Sequence, residues 1–240
     1  EVAPQLAESG MATGAVWSDA DNDGWLDLLV SYEWGPVRIF RNRSGVLEEA
    51  TTAAGLASHL GWWSGLSAGD VDNDGDIDYV ASNFGLNSKY HATADKPTLL
   101  YYGDFEGDGT KRLIEAEYED GILYPIRGKS CSTRAVPHLA KKFETFKAFA
   151  VAELKEIYRP ECFSDSLKFT ATTLETGIFI NDGSARFEFH SLSRIAQTAP
   201  AFGSALIDCD GDGNLDLYLV QNHYTPQLET GRMAGGLSMF

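Results

Sequence analysis

The sequence predicts an all-β fold of repeated strand–loop–strand units. Three observations carry this: four Asp-rich segments of similar spelling, strand-length apolar runs beside them, and a Gly at a fixed offset ahead of three of them. The segments read DADNDGWLD (Asp19 to Asp27), DVDNDGDID (Asp70 to Asp78), DFEGDGTKR (Asp104 to Arg112) and DCDGDGNLD (Asp208 to Asp216). Three fit DxDxDGxxD throughout. From average residue usage that pattern arises roughly once per million positions, so three copies mark an internal repeat.

The flanking runs come next. GAVWSD and LDLLVSY surround the first segment, GLSAGD and IDYVAS the second, GSALID and LDLYLV the fourth. Their length and alternation are those of strands, so each segment is expected to join two strands. Gly14, Gly65 and Gly203 each stand five residues before the first Asp, and a Gly inside a strand marks a close backbone approach.

Composition sets the class. A hydrophobic content of 43% over 240 residues supplies a core and excludes disorder. No apolar run reaches the roughly 20 residues of a membrane helix, and EVAPQLAESG carries no signal pattern, so no transmembrane or targeting segment is expected. The formal net charge is −16, and the four segments hold four, five, three and four of the 35 acidic residues. The acidity is therefore local. Carboxylates packed this closely repel one another, and such loops call for cations.

The spacing suits calcium, a hard cation that takes six to eight oxygens at about 2.3 to 2.6 Å. Alternate Asp residues turn inward at positions 1, 3 and 5: Asp19, Asp21 and Asp23; Asp70, Asp72 and Asp74; Asp208, Asp210 and Asp212. Gly at position 6 permits the sharp turn. Position 7 (Trp25, Asp76, Asn214) is expected to give its backbone carbonyl, and the Asp at position 9 (Asp27, Asp78, Asp216) to close the shell. An EF-hand would need Glu at position 12 and flanking helices, but position 12 is Val30, Ala81 and Leu219. The third segment departs from the pattern: Asp104, Glu106 and Asp108 can coordinate, but position 9 is Arg112. Either Glu115 completes a weaker site, or the Arg112 guanidinium neutralises Asp104 and Asp108. Three calcium sites are expected, and a fourth at Asp104–Asp108 stays open.

With Phe202-Gly203 ahead of the fourth loop, the chain resembles the FG-GAP or VCBS repeat family of integrin α-subunits and many secreted bacterial proteins. EWGPVRIFRN with LEEATTAAGL, NFGLNSKYHA, LLYYGDFEGDG and TLETGIFINDGSARFEFHSL are similar to bacterial FG-GAP repeat proteins found with an ASPIC/UnbV domain. The resemblance implies a β-propeller with calcium in the hairpin between the first two strands of a blade. At roughly 50 residues per blade, about four blades or part-blades are expected. They divide as 1–130 with three Asp-rich loops, a helical insertion at 131–162, and a further blade with the fourth loop at 163–240. All belong to one propeller, read as a fragment of a longer one.

The insertion changes character. From Pro137 to Tyr158, Leu139, Phe143, Phe146, Ala150, Leu154 and Ile157 recur at helical spacing with Lys and Glu between them. An amphipathic helix or helical pair is expected, with Thr145 capping a second helix, Pro160 ending the pattern, and Phe143, Phe146 and Leu154 against the blades. Acids alternate with the bases there, so no nucleic acid partner is expected. Cys131 and Cys162 bracket the insertion; whether they form a disulfide, which would suit an oxidising compartment, stays open. Cys209, at position 2 of its loop, is read as an unpaired thiol pointing away from the metal.

Catalytic signatures are absent from the sequence. His59, His91, His138, His190 and His223 show no metal-ligand spacing, there is no GxSxG or phosphate-cradling Gly loop, and the closely paired carboxylates are assigned to calcium. No enzyme is expected. The chain is read as a calcium-stabilised scaffold for adhesion, assembly or protein binding, extracellular or at the cell surface, with the periplasm as the other compartment. Its expected partner is a protein or glycan outside the cell, and assembly through open propeller edges is a further expectation. The alternatives are a carbohydrate-binding propeller, in which Trp17, Trp25, Trp34, Trp62 and Trp63 stack on sugars instead of filling the core, and a non-catalytic part of a larger secreted enzyme.

Overall fold

The structure, a computed structural model, describes residues 3–7, 9–227 and 229–238. It divides into two compact units. One takes the chain up to Lys89 together with Thr173–Pro226 and the segment from Arg232 onward; the other takes Tyr90–Thr172 with Gln227–Gly231.

The first unit opens with β1 (Met11–Ser18), β2 (Asp27–Gly35), β3 (Arg38–Arg43), β4 (Val46–Glu49) and the short β5 (Gly61–Trp62). They form an antiparallel sheet in the order β1-β2-β3-β4, with β5 also paired to β2. The apolar run of β2 is buried along nearly its whole length, as a strand covered on both faces must be. The hairpin of β6 (Gly65–Gly69) and β7 (Asp78–Ser82) follows, and the chain then enters the second unit.

There, β8 (Thr98–Gly103), β9 (Arg112–Glu119) and β10 (Ile122–Pro125) lead into five short helices and then β11 (Leu167–Ala171); the sheet order is β10-β9-β8-β11. The helices are α1 (Lys129–Ala135), α2 (Leu139–Lys142), α3 (Phe146–Ala150), α4 (Leu154–Ile157) and α5 (Pro160–Ser164), in place of the expected single helix or pair. Local caps cut the pattern into turns. Thr145 Oγ1 accepts from Ala148 N (3.1 Å) to start α3, and Glu153 and Glu156 form a capping box on α4. Pro160 begins α5 instead of ending the pattern, because a missing N–H costs nothing in a first turn. Breaking the helix resets its phase. Phe149, Leu139, Leu154 and Ile157 fill the core with Tyr101, Phe105 and Ile114 of this unit, while Phe146 is 66% exposed, beside the Lys129 ammonium (5.1 Å), and Ala150 is exposed. Phe143 is half-buried against the core. Cys131 and Cys162 are free thiols, so the disulfide reading is set aside.

Back in the first unit, β12 (Gly177–Asn181) pairs with β7 and carries β13 (Phe187–Ser191), giving the order β13-β12-β7-β6. TLETGIFINDGSARFEFHSL thus completes the sheet begun by the second Asp-rich loop; it does not open a further one. The expected boundaries at 130 and 162 fall inside the second unit, which holds the third loop, its strands and the helices together. The hairpin of β14 (Ala201–Ile207) and β15 (Asp216–Gln221) makes a two-stranded sheet. The chain is thus mostly β, in four antiparallel sheets, and no closed ring of blades is traced among the described residues.

Of the three fixed-offset glycines, Gly14 is the one at a close approach between sheets, while a Cβ at Gly203 would meet nothing within 4 Å. A Cβ on Gly14 would come within 3.2 Å of Gly65 Cα, so β1 and β6 abut at their glycines. Next along, Ser67 and Ser204 bring their hydroxyls to 2.8 Å, joining β6 to β14. Trp34 and Trp63 are buried as core, whereas Trp17 and Trp25 are 54% and 47% exposed, against the core reading for those two. Among the described residues, no helix is long and apolar enough to cross a membrane.

The reset phase yields a test. Phe149→Ala should cost about 3 to 5 kcal/mol in urea unfolding, as for a fully buried aromatic, and Phe146→Ala less than about 0.5 kcal/mol. Equal losses would mean that the helices pack by the unbroken pattern.

Candidate metal centre

Each Asp-rich segment is the loop of an antiparallel hairpin, and its position-9 residue opens the second strand. Asp27 pairs with Ser18, Asp78 with Gly69, Arg112 with Gly103 and Asp216 with Ile207. The position-1 carboxylate organises the turn. Asp19 accepts from the N–H groups of Asp23 (3.0 Å) and Gly24 (2.8 Å), Asp70 from Asp74 (3.2 Å) and Gly75 (3.1 Å), and Asp208 from Gly211 (2.7 Å) and Gly213 (3.0 Å). Two residues per loop are left-handed. At position 6 the glycines lie at φ 88° (Gly24), 96° (Gly75) and 90° (Gly213); at position 4 stand Asn22 (55°), Asn73 (62°) and Gly211 (79°), all residue types that tolerate this region.

This folding brings positions 1, 3 and 9 together. Asp19, Asp21 and Asp27 each offer a carboxylate oxygen within 4.8 Å of the other two, as do Asp70, Asp72 and Asp78, and Asp208, Asp210 and Asp216. The position-5 residues are not brought into these triplets: Asp23, Asp74 and Asp212 accept the N–H of Trp25 (2.9 Å), Asp76 (2.9 Å) and Asn214 (2.8 Å) at position 7. All donors are carboxylate oxygens, the set of a hard cation. One atom is left over: Asp21 Oδ1 is buried without a partner among the described residues, while Oδ2 meets Arg43 (3.0 Å) and Arg41 (3.5 Å). A group that fits this donor set is therefore a divalent oxygen-seeking ion.

Position 9 has a second task. Asp27 and Asp78 are fully buried, and each shares its two oxygens between the loop and a third strand. Asp27 accepts from Ala20 N (3.2 Å) and from Asn42 N on β3 (2.8 Å); Asp78 accepts from Val71 N (2.9 Å) and from Asn181 N on β12 (2.9 Å). Burial lifts both carboxyls above the ordinary range, against the lowering effect of these backbone bonds and with a further lift from neighbouring Asp residues. Among the described residues, Asp216 accepts from Cys209 N (3.0 Å) alone and β15 has no third strand beside it. Cys209 itself is exposed and free.

The third loop belongs to the second unit and forms no such triplet. Arg112 grips both oxygens of Asp108 (2.9 and 2.8 Å) and lies 3.9 Å from Asp104, which holds the Asp108 carboxyl well below the usual range. Glu106 pairs with His138 (2.8 Å). Glu115 is turned to Arg127 (2.7 Å) and accepts from Tyr90 Oη (3.2 Å), so of the two readings of this loop the structure takes the guanidinium.

The other three loops form a row. Asn22 at position 4 of the first donates to Asp76 at position 7 of the second (2.6 Å), and Asn73 at position 4 of the second donates to Asn214 at position 7 of the fourth (2.7 Å). Residues 19–81 match the FG-GAP-like repeat family. The FG-GAP-like segment starts at the first Asp of the first loop and ends in β7, so it spans two of the three triplets. No curated protein matches the chain.

Two expectations follow for position 9. Asp27→Asn puts an NH2 group against backbone donors and should cost about 1 to 3 kcal/mol even in chelator, whereas Asp212→Asn, on an exposed loop, should cost less than about 0.5 kcal/mol. The raised Asp27 and Asp78 carboxyls bind protons more tightly folded than unfolded. In chelator their ionisation penalty is absent below the unfolded carboxylate range and grows as pH rises through the raised values, so this contribution to stability falls across that window. Denaturant midpoints against pH should show a shallower fall in Asp27→Asn; an unchanged slope would contradict the assignment.

Proposed function

We propose that this chain is a calcium-stabilised β-propeller scaffold of the integrin-like FG-GAP type, acting in adhesion, assembly or protein binding outside the cell or at its surface, with no catalysis of its own. The observation that carries the reading is the row of three Asp triplets, each with three oxygens within 4.8 Å and joined loop to loop by Asn22 and Asn73. The FG-GAP-like match over two of these loops supports it, as does the sheet-by-sheet abutment at Gly14 and Gly65.

The physical role of the ion follows from the loops. Positions 1, 3 and 9 would hold calcium, which supplies two positive charges to clustered carboxylates that repel one another, with Arg41 and Arg43 on Asp21 as a further counter-charge in the first loop. The chain's own residues do the rest: position 1 sets the turn, positions 4 and 6 reverse the backbone, and position 9 anchors the hairpin to the next strand. A rim stiffened in this way leaves the far ends of the strands free to carry a recognition surface.

Calcium should raise the melting temperature and chelator should lower it. At about 100 times its dissociation constant, each independent site adds about 2.7 kcal/mol. Asp72→Ala should remove one site's share of the calcium-dependent shift, and Asp108→Ala should leave that shift unchanged. A melting curve indifferent to chelator would overturn the structural role of calcium.

A further inference from the structure

At the strand ends remote from the Asp-rich loops, the first unit holds a cavity of about 120 Å³, with Glu33, Trp62, Phe84, Phe202 and His223 on its walls. Its walls are tied together by backbone pairing, ring contacts and hydrogen bonds. Glu33, late in β2, lies opposite Trp62 of β5 at a shift of register, and the next residue, Trp34, is left-handed at φ 57°. A bulky side chain adopts that conformation only when its surroundings enforce it, and such bulges re-aim the neighbouring side chain. The Trp62 ring stacks on Phe84 (4.4 Å between centroids, 9° between planes), with Trp34 against it at 4.9 Å. Asn83, fully buried, fixes the pair: its Oδ1 accepts from the N–H groups of Trp62 (3.1 Å) and Phe84 (2.8 Å), and its Nδ2 donates to the carbonyls of Thr173 (3.0 Å) and Glu175 (3.2 Å).

The polar inventory of the walls decides what they suit. The Asn83 amide is committed to these bonds, and the Ser64 hydroxyl donates to the Ala201 carbonyl. Two lining groups are left. The half-buried Glu33 carboxylate has no hydrogen-bond or ion-pair partner among the described residues, and the buried His223 Nδ1 has none either. No Lys or Arg lines the cavity. Phe202, of the Phe202-Gly203 pair, is 48% exposed and meets the His223 ring edge-on at 5.3 Å. A sugar needs several donors as well as acceptors, whereas an organic cation needs a counter-charge and π surface, which these walls provide. At about 30 Å³ per liquid water, the volume is that of roughly four waters, enough for a head group.

We propose that this cavity binds a compact organic cation, an alkylammonium or guanidinium head group, with Glu33 as its counter-ion and the aromatic walls as its π surface. The proposal is independent of the calcium reading. Two probes separate its sources: choline for a free quaternary amine, and N-acetyl-arginine methylamide for a basic side chain of a protein. Each is titrated into the calcium-saturated chain, read by tryptophan fluorescence and calorimetry. At least one should saturate; Glu33→Gln should weaken it at least tenfold and Phe202→Ala severalfold, with the calcium-dependent melting shift kept in both variants. If Glu33→Gln lowers the melting temperature, the same titration on Phe202→Ala decides, and its unchanged affinity counts against the proposal. Failure of both probes to saturate, equal binding by Glu33→Gln, or saturation by methyl galactoside instead overturns it.

Discussion

Two buried carboxylates organise the first unit. Asp27 and Asp78 close an Asp-rich loop on one side and seize the backbone N–H of a third strand on the other, at Asn42 and Asn181. Burying a carboxylate is costly unless its lone pairs are met, so the loop and the third strand must arrive together for the charge to be tolerated. The partners return the grip: the Asn42 amide donates to the Leu26 carbonyl (3.0 Å) and the Asn181 amide to the Ile77 carbonyl (3.1 Å), each one residue before the buried Asp. This reciprocal clasp holds β12 to β7 although the long Tyr90–Thr172 segment of the second unit lies between them in sequence.

The same loops set the spacing between sheets. Position 4 must be left-handed, so it is Asn or Gly, and where it is Asn its amide reaches position 7 of the next loop. Glycines hold the inner strands close, at Gly14 against Gly65. A charge-neutralising ion in one loop would therefore stiffen a hairpin that is hydrogen-bonded to its neighbour, which ties local metal chemistry to the standing of the sheets. The third loop is outside this system: its carboxylates are already met by Arg112 and His138.

Local features were legible in the sequence and long-range ones were not. The hairpin loops could be read because alternating Asp with a position-6 Gly is short-range turn chemistry. The links from the position-4 Asn to position 7 of the next loop, Asn22 to Asp76 and Asn73 to Asn214, escape a reading of single loops, although the spelling N, N, G at position 4 carries a signal. The pairing of β12 with β7 has no local mark, yet the shared Asn in RIFRN and GIFIN was its trace. The period places Phe146 in the core and passes over Phe149 because it runs in one phase from Leu139 to Ile157, even across the Thr145 cap, whereas the chain breaks again between α3 and the Glu153–Glu156 capping box. For the third loop, Arg112 showed that position 9 had changed sign, but only the structure showed Glu115 turned to Arg127.

What these loops do depends on which carboxylate groups hold an ion. Counting bound calcium per chain by native mass spectrometry, with a competing chelator to exclude loose surface ions, addresses it most directly. Three ions per chain are predicted, one for each triplet in the row. A count of none would remove the metal from the scaffold, and a count of four would mean that Arg112 yields the third loop to calcium.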